Sequence, residues 1–315
     1  MLNGECPMSK VKNYLSLIKF SHTIFAMPFA LIGFCLGVRQ PIIIWSLNRN
    51  RDYLPSSWGF LGGEKPLWSI FILVILCMIF ARSAAMAFNR YLDRVFDAQN
   101  PRTAIREIPA GIIKANSVLL FTIVNCLLFI ACTFFINWLC FLLSPVALLV
   151  VLGYSYTKRF TPLCHLILGL GLSLAPIGAY LAVTGAFHLL PILFSLAVIF
   201  WVSGFDIIYA LQDEEFDRSQ KLYSIPASLG KARALRVSEL LHVCSASAVI
   251  CAGVYGNFGW LYWMGVAVFA GMLVYQHSVV KPNDLKRVNL AFMTANGIAS
   301  VVFAIFVIAD LFLNY

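Results

Sequence analysis

Half of this chain's 14 acidic residues are crowded into two short stretches, 93–97 and 206–217. Asp93 and Asp97 lie in "LDRVFDAQNPRTAIREIPAGIIKA", while Asp206, Asp213, Glu214, Glu215 and Asp217 lie in "DIIYALQDEEFDRSQKLYSIPASLGKA". Each window has Asp-x-x-x-Asp, then a basic residue, Ile-Pro-Ala, Gly and Lys-Ala. Residues four or seven apart share one face of a helix. Arg82, Asn89, Asp93 and Asp97 therefore form one stripe. Asp206, Asp213 and Asp217 repeat the spacing of seven and four, with Tyr209 in the place that Asn89 holds in the first stripe. The repetition predicts a duplicated helical unit (around 82–115 and 206–232) inside a single domain, 1–315, with its two acidic helix ends facing each other. The plainer alternative for either window alone is a solvated helix end tied to neighbouring arginines.

Carboxylates aimed at a shared space repel unless cations bind among them. Mg²⁺ suits such a site, because it takes one or two carboxylates, keeps several waters and completes its shell with phosphate oxygens. Arg90, Arg94, Arg102, Lys158 and Arg218, with Arg106 and Arg159 beside them, supply the positive charge that a diphosphate needs. The expected chemistry is therefore metal-assisted handling of a phosphorylated group. No Ser/His/Asp or Cys/His constellation, GxGxxG or Walker pattern competes with it.

The elements that must position these residues are membrane helices. Of the 315 residues, 61% are hydrophobic and only 12% charged; soluble chains average about 25% charged. A bilayer core of about 30 Å takes about 20 helical residues to cross. Nine apolar stretches fit: 20–38, 67–91, 116–136, 138–156, 163–184, 189–212, 234–255, 258–279 and 289–312. The class is all-α, a polytopic membrane protein. Eighteen of the 23 basic residues fall on the side that carries both acidic windows, which makes that side and the N-terminus cytoplasmic and the C-terminus external. The net charge of +9 is then a topology signal and needs no nucleic acid. The nine cysteines are scattered, without metal-ligand spacing, and read as packing residues. The glycines of "LILGLGLSLAPIGAY" read as close helix contacts. The first span lacks a cleavage site and reads as retained. The external loop 39–66 carries no assignable chemistry.

These residues resemble the intramembrane aromatic prenyltransferases of the UbiA type. The first signature of that family appears as "NRYLDRVFDAQNPRT" and the second as "DIIYALQDEEFD". "YSYTKRFTP" resembles the loop between its fourth and fifth helices, and "KFSHTIFAMPFALIG" its first helix. "NPRTAIREIPAG" and "LYSIPASLG" are similar to the 4-hydroxybenzoate polyprenyltransferase branch, which includes members acting on a dihydroxynaphthoate. Arg90 departs from the pattern, since many members have Asp there, and the 39–66 loop is longer. The resemblance implies nine transmembrane helices around a central cavity with cytoplasmic Asp-rich cap loops. It also implies Mg²⁺-dependent transfer of a polyprenyl group from an allylic diphosphate to an aromatic hydroxy acid in quinone biosynthesis, in the cell membrane and with no obligate protein partner.

On that resemblance Asn89, Asp93 and Asp97 hold one Mg²⁺, and Asp213 and Asp217 the other. Asp206, deeper in the membrane, either orients the aromatic hydroxyl, binds the second metal through water or pairs with a neighbour. Arg82 anchors a substrate carboxylate or phosphate, or pairs across the bundle; a charge at that depth is costly enough to need one or the other. Lys158, with Tyr154 one turn before it, and Arg102 meet diphosphate oxygens. His22, Phe20 and Phe25 are candidates to line the cavity. The rival reading, a transporter, expects charge near the midplane in broken helices, whereas here the acids gather at one face.

Overall fold

A computed structural model describes residues 7–18, 25–47 and 65–313. These form twelve helices: α1 Pro7–Leu17, α2 Met27–Leu47, α3 Leu67–Gln99, α4 Ala115–Ile136, α5 Trp138–Thr157, α6 Cys164–Thr184, α7 Leu189–Ala210, α8 Glu214–Ser219, α9 Ile225–Leu229, α10 Lys231–Tyr255, α11 Trp260–Val279 and α12 Asn296–Leu313. The one β pairing among the described residues is an isolated bridge between Lys281 and Asp284. The predicted His22 and Phe20, and residues 48–64 of the 39–66 loop, lie outside the described residues; residues 39–47, expected to belong to that loop, instead continue α2.

Among the described residues, each of the nine predicted spans overlaps a helix. Seven of those, among the described residues, are long and apolar enough to cross a membrane. The other two are α2, whose described apolar part, Met27–Arg39, is short, and α11, where Trp260, Tyr262, Gln276 and His277 dilute the apolar run.

The first acidic stripe rides on a continuous helix, as its spacing predicts, whereas the second is interrupted by a turn. At about 1.5 Å per residue, the 33 residues of α3 reach about 50 Å, well past a hydrocarbon core of about 30 Å. Asn89, Asp93 and Asp97 ride on that continuation. The helix stops at Gln99 because Pro101 disfavours a helical residue before it; Asn100 is extended, with φ −92° and ψ 117°. In the second window α7 gives way to a tight turn at Leu211–Asp213 and then to α8. Asp206 therefore lies in α7, Asp213 in the turn and Asp217 in α8.

The bundle is filled on one side and hollow on the other. Phe29, Phe194, Trp201, Tyr262, Phe269 and Phe303 interlock where α2, α7, α11 and α12 meet. Asn296 ties this core together. Its Oδ1 accepts from Trp201 Nε1 at 2.9 Å and from Gln276 Nε2 at 2.8 Å, and its amide donates to Phe292 O at 2.9 Å. Those bonds serve the wide π turn at 290–295, whose backbone needs other partners inside a membrane. On the other side α3, α4, α5 and α6 enclose an apolar cavity of about 420 Å³.

Glycines on α6 serve both sides. A Cβ on Gly169 would stand 2.4 Å from Ile199 O of α7, whereas Gly178 faces open space in the cavity wall. Gly33 of α2 crosses α6 closely enough that a Cβ would meet Pro176 O at 2.0 Å. The packing role expected for the α6 glycines therefore holds at Gly169 but not at Gly178. Gly33→Ala should lower the apparent unfolding temperature in detergent, at a cost of about 1–3 kcal/mol for overpacking, and Gly178→Ala should leave it unchanged. Thermal unfolding of the two variants side by side checks the distinction; equal melting temperatures would contradict it.

Candidate functional site

The end of α3 and the turn after α7 are brought together by the segment that follows α3. Asn100 builds the first link: its Oδ1 accepts from Arg102 N at 3.0 Å, shaping the turn, and its Nδ2 donates to Asp213 Oδ1 at 3.2 Å. Arg102 supplies the second link. Its Nε donates to Asp213 Oδ1 at 3.0 Å, and a second nitrogen of the same guanidinium takes Oδ2, a two-pronged grip that matches the fork geometry of arginine. The third nitrogen donates to Tyr209 Oη at 2.9 Å. Tyr209 in turn lies against Phe292, at 4.4 Å between ring centroids, so the grip rests on the filled half of the bundle. The two acidic helix ends do face each other.

Each of the four helix-end aspartates has a basic partner. Arg159 approaches Asp93 Oδ1 at 3.4 Å and Arg106 binds Asp97 Oδ1 at 2.6 Å. Lys158 reaches Asp217 Oδ1 at 2.6 Å. Asp217 is fully buried, and Ser224 Oγ donates to its other oxygen at 2.9 Å, which offsets the cost of a carboxylate out of water. Burial works to lower the pKa of the Lys158 ammonium, but the charge and hydrogen bond of Asp217, with Asp213 nearby, outweigh it and raise it overall. Lys158 therefore carries its charge throughout the physiological range.

Asn89 Nδ2 donates to Asp93 Oδ2 at 3.1 Å, as expected for residues one turn apart. Asp97 Oδ2 is buried without a hydrogen-bond partner. Among the described residues no three His, Cys, Asp or Glu side chains stand together as a ready metal cage. The acids come instead as pairs, Asp93 with Asp97 and Asp213 with Asp217. An all-oxygen donor set, paired carboxylates and one orphaned carboxylate oxygen fit Mg²⁺, which takes only one or two carboxylates from the protein.

Arg82 and Tyr154 line the cavity, the polar residues of an otherwise largely apolar wall that includes Val74, Phe129, Leu172 and Ala179. Arg82 has no ion pair among the described residues, and its Nε is buried without a partner. The reading that pairs it across the bundle is not supported. Asp206 does take a neighbour: its Oδ2 lies 2.6 Å from His165 Nδ1.

Three predicted phosphate contacts are placed elsewhere. Arg94 folds back on its own helix, donating to Tyr91 O at 2.6 Å with its guanidinium over the Tyr91 ring. Arg218 is 61% exposed and pairs with Glu214 at 2.8 Å, one turn away. Arg90 is only 6% exposed and lies inside the helix packing, with an unpartnered Nε. The structure adds residues that the pattern gave no role: Asn100, Ser224 and His165. Asn100 sits inside the quoted first signature, but His165 is a single histidine whose partner is 41 positions away, and no spacing rule finds it.

The model of the UbiA prenyltransferase family matches residues 53–298. The 4-hydroxybenzoate octaprenyltransferase of Aeromonas salmonicida is 31% identical over 259 residues, covering 82% of this chain and 87% of its own length. That of Methylococcus capsulatus is 28% identical over 252 residues, covering 79% and 86%. Among solved structures, the apo UbiA homolog from Aeropyrum pernix covers 93% of this chain and 98% of its own, with a TM-score of 0.72 at 28% identity. The UbiA homolog from Archaeoglobus fulgidus bound to DMAPP and Mg²⁺ covers 96% of this chain and 99% of its own, with a TM-score of 0.67 at 20% identity. That last likeness is one of fold.

If the Arg102 grip holds the segment after α3 in place, Arg102→Ala should speed subtilisin cleavage within residues 100–114 several-fold in detergent. An unchanged cleavage rate would mean that other contacts hold the cap.

Proposed function

The chain belongs to the UbiA prenyltransferase family and is an aromatic prenyltransferase, and from that premise we propose a substrate pair, a site and a pathway. The protein transfers a polyprenyl group from an allylic polyprenyl diphosphate to an aromatic hydroxy acid of the 4-hydroxybenzoate type, in quinone biosynthesis, with the acidic helix ends on the cytoplasmic side of the cell membrane. One observation carries this reading: a largely apolar cavity has Arg82, with its Nε unpartnered, in its wall, and α3 continues from Arg82 to the place where acidic and basic side chains of both windows meet.

In this reading the prenyl tail lies along the wall of α3, α5 and α6, where burying apolar surface stabilises it by about 25 cal/mol per Å². Arg102, Lys158 and Arg159 meet the diphosphate oxygens. Asn89, Asp93 and Asp97 would hold one Mg²⁺ and Asp213 and Asp217 the other. Bound there, the metal supplies positive charge that stabilises the departing diphosphate. Tyr154, one turn inside from Lys158, offers a ring face to the allylic carbon as positive charge develops on it. The largely apolar wall disfavours water beside that carbon. Arg82 binds the acceptor carboxylate and Asp206 takes the hydrogen bond of its hydroxyl, which holds the ring carbon beside that hydroxyl toward the allylic centre. The C–O bond to diphosphate breaks, the ring C–C bond forms, and the ring then releases a proton.

A dihydroxynaphthoate also presents a phenolic hydroxyl and a carboxylate, so direct competition between the two acceptors tests the assignment. Purified protein given geranyl diphosphate and Mg²⁺ should prenylate 4-hydroxybenzoate in preference to a dihydroxynaphthoate, read by mass spectrometry. Preference for the naphthoate would move the enzyme to the menaquinone branch. Product from neither, by folded protein, would remove the acceptor assignment. Arg82→Ala should raise KM for the aromatic acid about tenfold to a hundredfold, equivalent to a charged hydrogen bond of about 1.5–3 kcal/mol, and leave KM for the diphosphate unchanged. A shift in the diphosphate KM instead would reassign Arg82 to the phosphate.

A further inference from the structure

The pair of His165 and Asp206 has a feature that the roles above do not use. His165 opens α6, is 3% exposed, and has its Nδ1 2.6 Å from Asp206 Oδ2. At its other nitrogen, the backbone N–H of Ile225 donates to Nε2 at 3.3 Å. A backbone N–H can only donate, so Nε2 carries the lone pair, and the proton of the neutral ring sits on Nδ1, facing the carboxylate. Both ring nitrogens are thus engaged and neither is left for a substrate.

The surroundings hold the ring in that orientation. Ser203 Oγ of α7 donates to His165 O at 3.1 Å, which fixes the start of α6 against α7 one turn before Asp206. Ile225 follows Ser224, whose hydroxyl donates to Asp217. His165 therefore joins the deep acid of α7 to the shelf beneath the second acidic helix end. Leu168 and Leu172, on the same face of α6 as His165, line the cavity. Asp206 keeps 25% of its side chain accessible, so of the two it is the one with a free side.

We infer that His165 is a positioning residue for the acceptor half of the reaction. By donating to Oδ2 it holds the Asp206 carboxylate in a single orientation and leaves Oδ1 to receive the hydroxyl of the aromatic acid. This rests on the acceptor role proposed for Asp206. A ring that acts only through Asp206 predicts a divided kinetic effect, in which the aromatic acid feels its loss and the diphosphate does not.

The test compares wild type with His165→Leu, His165→Asn and His165→Gln, using geranyl diphosphate, Mg²⁺ and 4-hydroxybenzoate, together with direct binding of geranyl diphosphate by each variant. His165→Leu should lower kcat about 100-fold, the lower end of what a positioned acid–base group contributes, and raise KM for the aromatic acid. Diphosphate binding should stay at the wild-type level. Asn carries an amide nitrogen near the position of Nδ1, whereas Gln extends past it to the position of Nε2, so Asn should recover most of the loss and Gln should not. The Asn and Gln comparison decides the matter even where His165→Leu does not fold. Wild-type rates in a folded His165→Leu would overturn the inference, as would equal recovery by Asn and Gln. Parallel losses in diphosphate binding and acceptor kinetics would overturn it too, since those mark a merely structural histidine. Failure of the wild type to prenylate any aromatic acid would instead remove the acceptor reading, and this assignment with it.

Discussion

Asp93, Asp97, Asp213 and Asp217 stand where the end of α3 meets the turn and short helix that follow α7, and their mutual repulsion is the constraint that the remaining structure answers. Two carboxylates spaced as neighbours on a helix, about 6 Å apart, repel by roughly 3 kcal/mol at an effective dielectric of 20. The chain opposes each with a cation: Arg159, Arg106, Arg102 and Lys158. Two of these four, Arg102 and Lys158, bring the second acidic end against segments from the first half of the chain. The interaction that neutralises the acids is therefore also the one that joins the two acidic ends into a cap.

The unequal filling of the bundle gives that cap a floor. Interlocked aromatics of α2, α7, α11 and α12, tied by Asn296, make one side rigid. Tyr209 and Phe292 pass that rigidity to Arg102. The other side, where Gly178 faces open space, is free to receive an apolar chain. In the proposed reading a charged headgroup sits at the cap and a greasy tail in the cavity, so the two halves of one substrate meet opposite kinds of packing. Arg82 and Tyr154 sit where the two regimes meet.

Much of this was legible in the sequence because it is periodic. Apolar runs of about twenty residues located the helices, and the repeated Asp-x-x-x-Asp located the two ends that meet. What periodicity cannot carry is the point where a helix stops or a side chain turns. The apolar run ends at residue 91, but α3 continues to Gln99, as the helical spacing of Asn89, Asp93 and Asp97 implies, because charged residues end an apolar run without ending a helix. Arg94 and Arg218 share the basic windows with Arg102, yet each finds a carbonyl or carboxylate within one turn of its own helix, and spacing does not separate such cases from Arg102. The partner of His165 is set by how α6 and α7 cross, through Gly169 and Ser203, which is a tertiary fact with no local trace.

The central claim is that the paired aspartates bind the diphosphate only together with its cation. Isothermal titration of geranyl diphosphate into the purified protein, with and without Mg²⁺, tests it for the wild type, Asp93→Ala and Asp217→Ala. The account predicts tight binding only for the wild type in the presence of Mg²⁺, with either substitution or chelation weakening it severely. Binding of equal strength without Mg²⁺, or in either variant with Mg²⁺, would show that the basic residues alone hold the diphosphate and would contradict the account.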